Sequence, residues 1–311
     1  MSKTMYLIGI VVTILLGTFL QYSFCCGVTQ ETIVENEEIT EENVVNPVVE
    51  ETPVNAFAIT ENEGDFGYSA AQDNINFALS GDEHLEPVAM EVETGVLKMA
   101  TYLNDNPNKV VNITGYYKSS ENYSGALPNL GVARATDVKN YLVAKGVNSK
   151  QINTNGQIEE DLTTRDNTLI GPLALVVETN NEADKEAAAK ELEELAARIK
   201  ADPLILYFNT NESEINLTAE QRQKVADISR YLDKVEGAVC LVVGHTDSVG
   251  RLASNMKLGQ ERADFAKAYL TDNGIAASNI KATSRGPKDP IASNKTKKGQ
   301  AKNRRTVITL Q

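Results

Sequence analysis

Gly244-His245-Thr246-Asp247, followed by Asn255, Leu258, Arg262-Ala263 and later by Asn303-Arg304-Arg305, is the stretch that decides how this 311-residue chain folds. Before it, Ala238-Val239-Cys240-Leu241-Val242-Val243 is a short apolar run of the kind a buried strand requires. Gly244 ends the run, and Asp247 falls in the loop that leaves it. The next helix is predicted from Ser254 to Thr271, stopped by Asn273-Gly274. Its apolar stripe reads Leu258, Phe265, Ala266, Tyr269 and Leu270, and Arg262 lies one turn after Leu258 on the same inward side. A guanidinium there is costly to bury unless an anion meets it. Two arrangements satisfy that demand. One is a structural salt bridge from Arg262 to Asp247, the simpler reading on spacing alone. The other is a bipolar pocket gripping a ligand that carries both an ammonium and a carboxylate. Arginine presents a planar fork that takes a carboxylate bidentately, and aspartate accepts hydrogen bonds from an ammonium. A ligand without the amine would leave a desolvated Asp247 unpaired, so requiring both charges gives specificity.

The elements continue in order over a hundred residues. Leu206-Tyr207-Phe208 with Thr210-Asn211 comes first, then Gly244 to Asp247 with Gly250, then Asn255, Leu258 and Arg262-Ala263. Gly274-Ile275, Pro290-Ile291-Ala292 with Asn294 and Thr296, and Gly299 before Asn303-Arg304-Arg305 complete the set. In this, residues 204 to 311 resemble the OmpA-like peptidoglycan-binding domain. The resemblance implies an α/β (α+β) fold of βαβαββ order, with helices packed on a mixed sheet, and noncovalent binding to the cell wall. It also implies that Asp247 and Arg262 hold the amino and carboxylate groups of diaminopimelate in the stem peptide, in a pocket lined by Thr246, Asn255, Leu258 and Arg304. Three positions depart from the family pattern. Gly259 stands where serine is usual, Ser284 replaces the first glycine of a G-x-G turn, and Thr306 follows the paired arginines where valine is common.

Charge divides the chain. Residues 204 to 311 hold 17 Lys and Arg against 11 Asp and Glu, a net of +6, whereas residues 1 to 203 carry 13 against 32, a net of −19. Arg304 and Arg305 add positive charge suited to an anionic wall polymer. Basic and aromatic residues do not interleave, so nucleic acid is not an expected partner. Tyr6 to Phe24 is a 19-residue run without a charge, long enough to cross a bilayer. Lys3 precedes it and no Lys or Arg recurs until Lys98, which places the amino terminus in the cytoplasm and the rest outside it. A cleaved signal peptide and a lipidated Cys25 or Cys26 are the other readings. The length of the run and the bulky Phe24 before Cys25 favour an uncleaved anchor over residues 1 to 26. Three cysteines make no disulfide framework, and Cys240 reads as a small buried side chain. Residues 27 to 66 hold eleven acidic residues and no basic ones, as an extended, solvated linker would.

A fainter copy of the same pattern occupies residues 68 to 180. Gly115-Tyr116-Tyr117-Lys118 stands where Gly244 to Asp247 stands later, and Asn129 to Ala135 echoes Lys257 to Ala263. Arg134 precedes Gly146 by twelve residues, as Arg262 precedes Gly274. Phe77 lies ahead of Gly115 much as Phe208 lies ahead of Gly244. Equal offsets of this kind favour a duplicated unit. Lys118 replaces the aspartate, so this copy is expected to act as a spacer or protein-contact domain without the same ligand. Glu182 to Lys200, within a connector over 181 to 203, reads as a helix with Leu192, Leu195 and Ile199 on one stripe. Thr218 and Gln221 form a capping box that opens the helix of Val225, Ile228 and Leu232.

Catalysis has little to stand on: the two histidines, His84 and His245, have no nucleophile motif to pair with, and His245-x-Asp247 lacks further metal ligands. No cofactor is implied. An ion-carrying stator role would need an ionisable residue in the spanning run, and Tyr6 to Phe24 has none. The expectation is a membrane-anchored, periplasm-facing protein of a Gram-negative-type envelope, with peptidoglycan and the bilayer as partners. The alternative is a scaffold whose main ligand is another envelope protein.

Overall fold

A computed structural model describes residues 56–70, 73–207 and 216–311. The candidate span Tyr6 to Phe24, Cys25, Cys26 and Phe208 with Thr210-Asn211 lie outside the described residues. Among the described residues no helix is long and apolar enough to cross a membrane.

The C-terminal unit is built from β9 (Leu204–Tyr207), α4 (Ala219–Lys234), β10 (Cys240–His245), α5 (Leu252–Asp272), β11 (Ile280–Gly286), α6 (Lys297–Asn303) and β12 (Arg305–Leu310). The sheet order is β11-β10-β12-β9, with β10 and β11 parallel and β12 antiparallel to both of its neighbours. Thr218 caps α4 through the reciprocal bonds with Gln221 that the sequence predicts, satisfying two backbone donors at the helix start. Its stripe of Val225, Ile228 and Leu232 is buried with Leu204, Val242 and Ile308 of the sheet.

Helix α5 packs differently from expectation. Its buried face is Asn255, Gly259, Ala263, Ala266 and Leu270, while Leu258 and Phe265 remain 40% and 37% exposed. The cause is the closeness of helix to strand. A Cβ at Gly244 would sit 1.8 Å from the Gly259 carbonyl oxygen, so only small residues fit along the contact line. Leu258 and Phe265 are thereby rotated away from the sheet, whereas Leu270, farther along the helix, is buried.

The N-terminal unit repeats this plan with additions. It contains β1 (Phe57–Glu61), β2 (Tyr68–Ala70), β3 (Phe77–Ala78), α1 (Met90–Asp105), β4 (Lys109–Tyr117), α2 (Leu130–Ala144), β5 (Ile152–Ile158), β6 (Thr164–Arg165), β7 (Thr168–Leu169) and β8 (Leu173–Thr179). Its main sheet runs β2-β1-β8-β4-β5, so β5-β4-β8 reproduces β11-β10-β12 in order and direction. The tight glycine contact recurs, since a Cβ at Gly115 would lie 2.1 Å from the Gly131 oxygen. So does the left-handed turn that ends the following helix, at Gly146 (φ +98°) and Gly274 (φ +92°).

Two expectations for this unit require correction. The linker does not extend to residue 66: Phe57 and Ile59 are buried and Ala58 and Thr60 exposed, an alternation that makes residues 57–61 a strand of the sheet. Nor does Phe77 take the place that matching it with Phe208 implies. The position beside β8 is filled by β1, which runs parallel to β8, whereas β9 runs antiparallel to β12. Phe77 instead lies in a separate small sheet, β3-β7-β6.

Helix α3 (Glu182–Ala201) joins the units, started by a capping box between Asn181 and Asp184 and burying Leu195 and Ile199 in the C-terminal core. The first unit is more than a spacer, because Ala126, Leu127 and Ala133 belong to that same core. Lys139 Nζ, in a side chain 4% exposed, meets Asp233 Oδ2 at 2.6 Å across the seam. Lys234 Nζ donates to the Lys150 and Ile152 carbonyls at 2.9 and 2.7 Å, and burial pushes its ammonium down to about 8.

Candidate ligand-binding site

Asp247 leaves the end of β10 just after a register shift against β11 between Gly244 and His245. The loop is held from below, where the Thr246 backbone N–H donates to the Gly286 carbonyl at 2.9 Å. Thr246, 3% exposed, turns its hydroxyl back to the Asp247 carbonyl at 2.9 Å, and Asp247 Oδ1 accepts the Val249 N–H at 3.0 Å. Asn255, on the buried face of α5, donates to the Val249 carbonyl at 3.1 Å and so fixes the far end of the same loop. These bonds tie Thr246 and Asn255 to the shape of the loop. Leu258 stands exposed on α5, one turn before Arg262.

The salt bridge offered by spacing is not the one that forms. Asp247 Oδ2 pairs with Arg304 Nη1 at 2.9 Å, while Arg262 Nη1 donates to the His245 carbonyl at 3.2 Å. Among the described residues no carboxylate lies within ion-pair distance of Arg262. Burial, and then the nearby Arg304 charge, push the Arg262 guanidinium below its ordinary value, and Asp247 partly offsets them. Arg304 Nε is buried with no partner among the described residues. One carboxylate and two guanidinium groups thus share the end of the sheet, with more donor than acceptor capacity. The arrangement suits a ligand bearing a carboxylate.

Arg305 is not part of that charge. It is 5% exposed and donates to the Asp289 carbonyl at 3.1 Å, because its side chain supports the loop before α6. Asn303 does more there than spacing suggested. Fully buried, it accepts from the Ile291 and Ala292 N–H groups at 2.9 and 3.0 Å and donates to the Ala292 carbonyl and Asn294 Oδ1 at 2.8 and 2.9 Å. Asn294 Oδ1 also accepts from the Ser248 N–H at 3.2 Å, which links this loop to the residue after Asp247. Beside the loop His245 is buried, and desolvation pushes its imidazole down to about 4. Among the described residues no group of three His, Cys, Asp or Glu is placed to hold a metal.

The first unit keeps one half of this geometry. Arg134 Nη1 donates to the Tyr116 carbonyl at 2.9 Å, as Arg262 does to His245, the residue that follows the matching glycine. Its charge is met by Glu121, a residue that the sequence pattern did not single out. The visible signal was an acidic residue in the loop between Lys118 and Arg134.

The OmpA family profile matches the chain twice, at residues 86–171 and 207–304, which together make up more than half of its length. Outer membrane protein A of Bordetella avium is 38% identical over 104 residues, covering 33% of this chain and 53% of that protein. The peptidoglycan-associated lipoprotein of Haemophilus influenzae is 31% identical over 140 residues, covering 45% of this chain and 90% of that protein. The chain spans little more than half the length of several relatives, including 52% of the probable lipoprotein YiaD of Escherichia coli, to which it is 49% identical over 113 residues. Among solved structures, the peptidoglycan-associated lipoprotein from Burkholderia pseudomallei aligns with a TM-score of 0.31 and 25% identity, over 34% of this chain and 89% of that one. Two matches to one profile, over two sheets that share a strand order, place this chain in the OmpA family.

Proposed function

We propose that the C-terminal repeat binds peptidoglycan noncovalently and that the protein acts as an envelope tether, by binding and not by catalysis. The observation that carries this reading is the half-buried Arg262 with no carboxylate partner among the described residues, set beside the Asp247–Arg304 pair. A ligand with an α-amino acid end, such as the diaminopimelate of a stem peptide, satisfies both halves. Its carboxylate bridges to Arg262, and its ammonium competes with Arg304 for Asp247. Thr246 and Asn255 hold the loop, Leu258 contributes exposed apolar surface at the rim, and Arg304 shifts from partner of Asp247 to partner of the ligand. Relatives named as peptidoglycan-associated support the wall as the source of that ligand.

The same reading divides the chain into an anchor over 1–26, an acidic linker, a repeat ending near 180, the connector 181–203 and the binding repeat 204–311. The uncharged run Tyr6 to Phe24 supports a membrane attachment, with lipidation at Cys25 or Cys26 as the competing means. Sedimentation with purified sacculi tests the binding claim. The protein is expected to pellet, and Asp247→Ala and Arg262→Ala to stay in the supernatant with unchanged circular dichroism. Retained pelleting by a folded Asp247→Ala protein would sink the pocket assignment. Intact mass of the membrane-extracted protein separates an unprocessed helix from an acylated cysteine.

A further inference from the structure

The loop that follows β4 in the first repeat corresponds to the loop that carries Asp247 in the second, and it is occupied from within. Glu121, its side chain 1% exposed, reaches Arg134 with both oxygens: Nη2 donates to Oε1 at 2.6 Å and Nη1 to Oε2 at 3.1 Å. The backbone N–H groups of Lys118 and Ser80 donate to the same carboxylate, each at 2.8 Å. Burial pushes the Glu121 carboxyl up, but these bonds together hold it below the usual carboxylate value. The guanidinium is fully buried, and its remaining nitrogen donates to the Gly81 carbonyl at 2.9 Å. Four donors on one carboxylate is the coordination expected of a bound anionic ligand, here supplied by the chain itself.

The residues just beyond Glu121 do something the second repeat's loop does not. Ala126 N–H donates to Asn273 Oδ1 at 2.7 Å, the Gly125 carbonyl accepts from Arg222 Nε at 3.0 Å, and Ala126 and Leu127 are buried in the second repeat's core. Both partners, Asn273 and Arg222, belong to the second repeat.

We propose that Glu121 is a built-in ligand of the first repeat, standing on Arg134 where a carboxylate ligand stands on Arg262, and that this self-occupancy fixes the loop 118–129 as a clamp on the second repeat. A site that opens and fills with ligand in one repeat is permanently filled in the other, and its loop is turned to joining the two. The comparison with Arg262 rests on the ligand reading above, whereas the occupancy of Arg134 and the clamp are tested without it.

The experiment uses the whole chain with Glu121→Ala, which leaves a carboxylate-sized gap against a buried guanidinium, and formate as the probe. In chloride, trypsin cleavage after Lys118 is expected to quicken roughly tenfold as the loop opens locally. Formate at matched ionic strength should restore slow cleavage and raise the unfolding midpoint with the logarithm of its concentration, as a ligand of the folded state does. In the wild type formate should leave cleavage after Lys118 unchanged, because the first-repeat site is full, and its midpoint should rise less than the variant's, through Arg262 alone. Absence of a formate effect beyond chloride, or an equal effect on the wild type, overturns the proposal. Should the variant be recovered unfolded, refolding in formate but not in chloride supports it, and refolding in neither overturns it. Sacculus binding is not the readout, so failure of the ligand reading at Asp247 would leave this result standing.

Discussion

Gly259 and Ser284 face each other across the contact between α5 and β11, and their coupling can be measured. A Cβ at Gly259 would lie 2.3 Å from Ser284 Oγ and 3.0 Å from the Gly244 carbonyl oxygen. Gly259→Ala therefore gains about 1 kcal/mol of helix propensity and loses roughly 1–3 kcal/mol to overpacking, for a net cost of about 0–2 kcal/mol. Ser284→Gly alone gives up the hydroxyl's bond with the Gly286 N–H at 3.2 Å, costing about 0.5–1.5 kcal/mol. In the double variant the closest clash is gone, and only the 3.0 Å approach to the Gly244 oxygen remains. The pair should thus be more stable than the sum of the single effects by about 1–2 kcal/mol. The departures of these two positions from the family pattern, serine usual at the first and glycine at the second, then read as one exchange across a contact. The chain has no tryptophan, so urea unfolding is followed by circular dichroism. Single effects that simply add, within about 0.3 kcal/mol, would refute the reasoning.

Asn303→Ala removes four hydrogen bonds and leaves the Ile291 and Ala292 N–H groups without their acceptor; a loss of about 2–4 kcal/mol is expected, with fast hydrogen exchange confined at first to residues 291–294. The two histidines should titrate in opposite senses. His245, held at about 4 against an ordinary 6.5, contributes stability present above pH 6.5 and lost as pH falls toward 4. His84, raised chiefly by its hydrogen bond with Asp137, contributes stability present below its ordinary value and lost as pH rises through the folded one. Histidine ring resonances followed by NMR against pH would show the two moving apart, and two coincident titrations would contradict both assignments.

Much of the architecture was legible because it depends on local chemistry. The capping box at Thr218, the stripe of Val225, Ile228 and Leu232, and the glycines that end each equivalent helix are set by residues a few positions apart. The repeat was legible for the same reason, since Arg134 with Gly146 and Arg262 with Gly274 recur at one spacing of twelve residues. What escaped depends on contacts between distant segments. The partner of Asp247 is Arg304, fifty-seven residues away, and spacing along one helix pointed to Arg262 instead. Leu258 and Phe265 looked inward because apolar periodicity does not register how closely a helix approaches its sheet. Glu121 looked like any loop carboxylate, and nothing in its neighbourhood announced a buried arginine. The seam between repeats was illegible altogether, because Ala126 and Leu127 are too small and too few to mark an interface by composition.

The strand order of the first sheet has a mechanical side. β1 lies parallel to β8, with Ile59, Thr60 and Glu61 matched to Leu175, Val176 and Val177. A pull between the chain upstream of Phe57 and the repeat beyond Thr179 grips one strand by its beginning and its neighbour by its end. Force applied that way slides the two strands along each other and loads all the bonds between them together. An antiparallel neighbour in the same place would put both grips at one end and let the bonds give way in succession. The direction of this one strand therefore makes the sheet resist tension by shear, whatever holds the far end.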